Sequence, residues 1–225
     1  MLPFENLRDQ LIVDHGAVRA GLPTLFSIMR NERFFLEAFF GHYRGLGIRQ
    51  FLVLDDGSED GSPEYFRSQP DCVLLRSDLK YGTPIEVRMP GGEVRNDRAG
   101  IFFKRVIPEK FCRGDYAVYA DADEFLVLPP QVPDLPTLFR RLGERSIDTV
   151  SASLVEFYPS SIRDLEGQPA PRSFEDLVAL YPFFDGVQLI RFRAGMAPKR
   201  INGSATKRLF QSYGILRPRP PSRLI

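Results

Sequence analysis

The sequence predicts an α/β fold with a central, mostly parallel (mixed) sheet flanked by helices. Three observations predict it. Short apolar runs alternate with segments of helical period, as crossover-connected strands require. Polar and acidic residues follow directly after the apolar runs, where strands of an open sheet end. The 225 residues, 43% of them hydrophobic, suffice for one sizeable core.

The elements follow in order. Leu25 to Met29 reads as a first strand, closed by the polar Arg30-Asn31-Glu32. Apolar residues at 34, 35, 38, 39, 43 and 46 then keep a helical period, and Gly45 or Gly47 closes that helix. Gln50 to Leu54 is a buried strand ending in Asp55-Asp56-Gly57-Ser58. Ser62 is a candidate helix cap, with Pro63 at the first helical position. CVLLRS is the next strand, and residues 80–97 form a loop or small hairpin. A helix from about Ala99 to Phe111 leads into the strand YAVYA. Beyond a stiff PPQVPDLP connector, a helix over Thr137 to Gly143 is expected. A strand over TVSASLVEFYP, a short helix near Phe174 to Leu180 and a strand DGVQLIRFR follow. The Pro- and Arg-rich end, GILRPRPPSRLI, is expected to be extended or disordered.

Bulk properties exclude several classes. A net charge of +1 gives no global field for nucleic acid or anionic lipid. Basic residues do not cluster with aromatics, so no nucleic-acid partner is expected. No GxGxxG follows the first strand, which disfavours a dinucleotide-binding dehydrogenase. Cys72 and Cys112 match no metal spacing, and the histidines, His15 and His42, are far in sequence from the acidic residues below. No signal-like segment and no 18-residue apolar run is present, so a reduced, cytoplasmic setting is expected.

The chemistry concentrates in VYADADEFLVL, Val118 to Leu128, where three carboxylates sit between apolar runs. Asp121 and Asp123 are two apart and can point the same way. Two close carboxylates repel unless a cation neutralises them, and a hard ion such as Mn2+ or Mg2+ does so while bridging to a diphosphate. Glu124 is expected to face elsewhere and organise the loop. Arg30, Asn31, Glu32, Asp55, Asp56 and Asp121 should all converge beyond the carboxyl ends of the strands. Each of these acidic turns could instead be a solvated surface turn.

The ordered series RNE, HYRGLG, LDDGSEDGS and DADEFLV, with EFYP, FFD and GSATKRLF later, resembles the GT-A glycosyltransferases, and most of all a family-2-like bacterial group. The resemblance covers about residues 24–210. It implies a nucleotide-sugar-binding sandwich in a single domain over 1–210, with a nucleotide-binding half at about 24–128, an acceptor-side half at about 129–210 and a tail at 211–225. It implies that Asp55 meets the base, Glu32 lies beside the nucleoside, and Asp121 and Asp123 meet ribose and a metal-bound diphosphate. Arg30, Asn31, Asp56, Lys104 and Arg208 are further candidates for holding the donor. The transfer needs a base to deprotonate the acceptor hydroxyl, for which Asp185 is first choice, Glu156 second and Asp164 third. The partners implied are a nucleotide-sugar donor, UDP-linked in preference, and a saccharide or lipid-linked acceptor. Peripheral contact with anionic lipid through the arginine-bearing tail would suit the latter. No histidine follows the KRLF segment to complete a metal site, which keeps open a second class: a degenerate relative that binds without turnover. A nucleotidyltransferase is a third reading, disfavoured because RNERFF, not a Gly-rich loop, follows the first strand.

Overall fold

The computed structural model describes residues 1–150, 152, 154–184, 189–193, 196–201 and 215–216. In chain order the strands and α-helices are β1 (Leu2–Pro3), β2 (Ile12–His15), β3 (Thr24–Met29), α1 (Leu36–Gly45), β4 (Gln50–Asp55), α2 (Ser62–Ser68), β5 (Cys72–Arg76), β6 (Pro84–Arg88), β7 (Val94–Arg98), α3 (Ala99–Phe111), β8 (Ala117–Tyr119), α4 (Leu135–Glu144), β9 (Thr149–Val150), β10 (Phe157–Tyr158), α5 (Phe174–Leu180), β11 (Phe183–Phe184), β12 (Leu189–Arg193), β13 (Met196–Ile201) and β14 (Ile215–Leu216). The fold is α/β with a mixed central sheet.

That sheet has seven strands in the order β2-β5-β4-β3-β8-β14-β9. Its middle is parallel: β3 pairs with β4 and β8, and β4 with β5. The antiparallel pairs lie to either side, β2 on β5 and β14 on both β8 and β9. Alternation along the strands divides the core in two. Leu25, Phe51, Val53, Leu74 and Val118 face α1 and α4, while Phe26, Leu52, Leu54, Leu75 and Tyr119 face α3. Helix α1 contributes Leu36, Phe39, Phe40 and Tyr43, and α3 contributes Ala99, Phe102, Phe103, Val106 and Ile107, each at helical spacing. Among the described residues, no helix is long and apolar enough to cross a membrane.

Local chemistry explains the boundaries. Helix α1 ends in a Schellman pair, Ile48 N–H to Tyr43 O at 3.0 Å and Gly47 N–H to Arg44 O at 3.0 Å. Gly47 has φ +94°, and a Cβ there would come within 2.8 Å of Pro136, so glycine is required at this position. The hairpin expected in residues 80–97 is β6–β7, extended by β1 into a three-stranded sheet. Helix α3 spans the residues expected for it.

Four expectations need correction. Ser62 does not cap α2 but begins it; Gly61 turns left-handed before it, so Asp60 takes the Ser62 N–H at 3.1 Å. Helix α4 starts two residues earlier than expected, because Asp134 accepts from Thr137 N at 2.7 Å and fixes the first turn. The single strand expected over residues 149–159 is two short strands, because β9 pairs with β14 whereas β10 pairs with β11 in a separate ribbon. Ile215 and Leu216, expected to be extended or disordered with the rest of the tail, form β14 within the central sheet.

Candidate functional site

Strands β3, β4 and β8 run in one direction, so their carboxyl ends bring Arg30-Asn31-Glu32, Asp55-Asp56 and Asp121-Ala122-Asp123 to one edge of the sheet. The ladder between β3 and β8 stops at Phe26 and Tyr119. Just beyond it, the buried Ser27 donates its hydroxyl to Ala120 O at 2.6 Å and holds the chain that carries the carboxylates. Residues 121–124 then form a turn, with Glu124 N–H donating to Asp121 O at 3.0 Å and Asp121 N–H donating to Glu124 Oε2 at 3.2 Å. Glu124 therefore organises the loop, as expected of it.

Asp121 lies in a small polar cage. The Tyr119 hydroxyl donates to its Oδ1, and Lys104 Nζ is 3.9 Å from the same oxygen. Lys104 reaches it from α3 between two aromatic rings, 4.4 Å from the Tyr119 centroid and 5.8 Å from that of Tyr81. Burial pushes the Lys104 ammonium pKa down, and the Asp121 charge opposes that. Tyr81 is itself fixed: its N–H donates to Asp56 Oδ1 at 2.6 Å, and its ring lies so close to Gly100 that no side chain fits there.

The remaining acids act on one another. Burial, then the charges of Asp123, Asp121 and Asp60, push the Glu32 carboxyl above its ordinary range. Asp123 is exposed at the surface, yet burial by the surrounding chain, with the Asp121 charge adding to it, pushes its carboxyl up too. Glu124 is raised by burial first and by Asp121 next. Oxygen-only donors that raise one another's proton affinity suit a hard divalent cation. Among the described residues no three acids, histidines or cysteines form a ready-made cage. The donor set thus fits an ion that takes one or two carboxylates and completes its shell with phosphate and water, which is how Mg2+ is bound.

The polar turn after β4 is built from its own side chains. Asp55 accepts from Gly57 N at 3.2 Å and from Ser58 N at 3.2 Å. Asn31, in a left-handed conformation with φ 57°, accepts from Glu59 N at 2.8 Å, and its own N–H donates to Ser58 Oγ at 2.9 Å. Asp60 accepts from Arg33 N at 2.9 Å. Asn31 and Asp56 are thereby organisers of this edge, while Arg30 is exposed beside it. Gly57 has φ +88°, and Lys80 Nζ lies 2.7 Å from where a Cβ would stand.

The structure thus brings together Arg30, Asn31, Glu32, Asp55, Asp56, Lys104, Asp121 and Asp123. Glu156 is exposed next to β10, and it is not among the charges that act on Glu32, Asp123 or Glu124. Asp185 and Arg208 lie outside the described residues. Sequence reasoning missed Tyr81, Tyr119, Lys80 and Tyr181. Tyr119 was findable, since it ends the apolar run two residues before Asp121. Tyr181, directly after α5, has its hydroxyl pKa pushed up by burial first and by the Asp123 charge next. Neither of two surface hollows among the described residues is lined by the carboxylates: one lies against the hairpin at Pro84, Ile85 and Arg98, the other at the amino ends of β4 and β5, at Gln50 and Cys72. Compared with known proteins, the chain matches no family model and no curated protein.

Proposed function

We propose that the chain is a GT-A type glycosyltransferase. It would move a sugar, with inversion, from a nucleotide-sugar donor, UDP-linked in preference, to a saccharide or lipid-linked acceptor in polysaccharide or glycoconjugate synthesis. The observation that carries this reading is the convergence of Glu32, the Asp55 turn, Asp121 and Asp123 at the carboxyl ends of three parallel strands.

In this reading the chain's own residues divide the work. Asp55 keeps lone pairs beyond those engaged by Gly57 and Ser58, and these can accept from a base N–H. Gly57 lets the nucleoside approach the backbone. Asp121 and Asp123 would hold Mn2+ or Mg2+, which would stabilise negative charge on the departing diphosphate, and Glu32 would lie beside the nucleoside. Lys104 adds fixed positive charge beside Asp121. Asp185 as first choice, with Glu156 second, would take the proton of the acceptor hydroxyl.

The test is calorimetric titration of UDP, and separately GDP, with and without Mn2+, into wild type and Asp123→Ala. Mn2+-dependent UDP binding that disappears in the variant is expected. A preference for GDP would keep the class and change the donor; no nucleotide binding under any condition would overturn the reading. A second reading is a relative that binds nucleotide sugar without turnover. Binding without sugar transfer to any saccharide or lipid-linked acceptor would select it.

A further inference from the structure

The turn that carries the carboxylates leaves the β3–β8 ladder at Tyr119, so its backbone groups must find other partners. Side chains supply several of them. Ser27 takes Ala120 O; beyond the turn the work falls to two neighbours on α1. The Tyr43 hydroxyl donates to Glu124 O at 2.9 Å and accepts from Leu126 N at 3.2 Å. His42 Nε2 lies 2.9 Å from Leu126 O, and a carbonyl only accepts, so Nε2 carries the proton. The Tyr43 ring is fully buried and packs on Phe39 at 4.8 Å, which leaves its hydroxyl a single orientation relative to the helix. The His42 ring packs against both Phe125 at 5.3 Å and Phe174 of α5 at 5.1 Å, which stack on each other at 5.6 Å. Two adjacent residues of one helix thus do for residues 124–126 what a neighbouring strand would do.

We propose that Tyr43, seconded by His42, is a positioning residue for the Asp121–Asp123 pair: the α1 clamp on Glu124 and Leu126 sets where those carboxylates stand. This rests on the donor reading for its consequence and on geometry alone for the clamp. Tyr43 touches neither carboxylate by any hydrogen bond seen here. It acts through the backbone, and Glu124 returns the constraint to Asp121 by accepting its N–H. Outer-shell partners of this kind hold ligands in register for a metal.

The test uses the full chain in three forms: wild type, Tyr43→Phe and Tyr116→Phe. The last deletes an equivalent buried hydroxyl, bonded to Ile147 O at 2.7 Å, at the opposite end of β8. Two readouts are taken, the affinity for UDP with Mn2+ and the hydrogen-exchange rates of the Asp121 and Glu124 amides, neither of which bonds to Tyr43. Tyr43→Phe is expected to weaken binding roughly tenfold or more and to speed exchange at both amides, with Tyr116→Phe changing neither. Unaltered exchange in Tyr43→Phe overturns the clamp, and faster exchange with unaltered affinity overturns the positioning role. Should wild type bind no nucleotide, the donor reading falls, and the two amides alone decide the clamp. If Tyr43→Phe does not fold, His42→Gln and His42→Leu replace it. Glutamine can still donate to Leu126 O and should restore wild-type behaviour, whereas leucine cannot; equal behaviour of the two would overturn the proposal.

Discussion

The region over residues 24–128 and the region over residues 149–184 treat their aromatic and polar groups in opposite ways. In the first, phenylalanines fill two buried layers, and most polar groups at the strand ends are tied to a partner. In the second, Phe157, Tyr158, Phe183 and Phe184 lie on a ribbon of two-residue strands and are 43% to 52% exposed. Their rings pair across the ribbon, Phe157 with Phe184 at 5.3 Å and Tyr158 with Phe183 at 6.1 Å, on opposite faces. The difference teaches that the edge carrying Asp55, Asp121 and Asp123 is built on a rigid sheet. The ribbon is built from short pieces with half-exposed rings. A site for a charged ligand needs fixed charges; a surface of short loops and ribbons can adapt.

The largest expected effect sharpens this contrast directly. Phe39→Ala empties a position in contact with Tyr43, Phe51 and Phe125, and should cost about 3–5 kcal/mol of stability by urea unfolding. Phe184→Ala should cost less than about 1 kcal/mol, since it removes a half-exposed ring from a ribbon. Equal losses would break the comparison, because the ribbon would then be as much part of the core as α1. A smaller effect is expected at Ser27. Ser27→Ala leaves the Ala120 carbonyl without its donor inside the sheet, at a cost of about 1–3 kcal/mol. The same variant should weaken Mn2+-dependent UDP binding, whereas Phe184→Ala should leave it alone. The opposite pattern would place the nucleotide against the ribbon.

Much of the first region was legible because its signals are local. Helix α3 carries its apolar period between a charged hairpin and a Cys-Arg-Gly-Asp turn, and each parallel strand is a short apolar run closed by polar residues. The carboxylates were legible for the same reason, as charges standing at the end of an apolar run. What sequence could not yield depends on distant partners. The alternation over residues 149–159 fits a strand, but the partner of β9 is Ile215–Leu216, so the strand is only as long as that pair. The clamp on the acidic turn joins residues 81 and 84 positions apart, and nothing in HYRGLG marks its tyrosine as a backbone ligand and not a core ring. Lys80 and Tyr181 belong to loop and helix-end positions whose neighbours are set by the whole fold.

The smallest expected effect is electrostatic, and it asks whether the rigid edge is strained by its own charge. Glu32, Asp123 and Glu124 all hold their protons more tightly in the folded chain than their ordinary values allow. For such groups the folded state binds more protons than the unfolded state, so their contribution to stability is fully present below the ordinary carboxylate range and is lost as pH rises through the raised values. Near neutral pH, then, these acids oppose folding in the absence of a cation. Glu32→Gln removes one of the mutually repelling charges. Its urea midpoint should exceed that of wild type at neutral pH, and the gap should close as pH falls to the ordinary range of glutamate. Mn2+ should narrow the same gap from the other side, raising wild type more than the variant, because an ion relieves a repulsion that Glu32→Gln has already reduced. A variant less stable than wild type at neutral pH, with no response of either to Mn2+, would mean that favourable contacts of the Glu32 charge outweigh its crowding. The carboxylates would then form a structural turn and not a cation site.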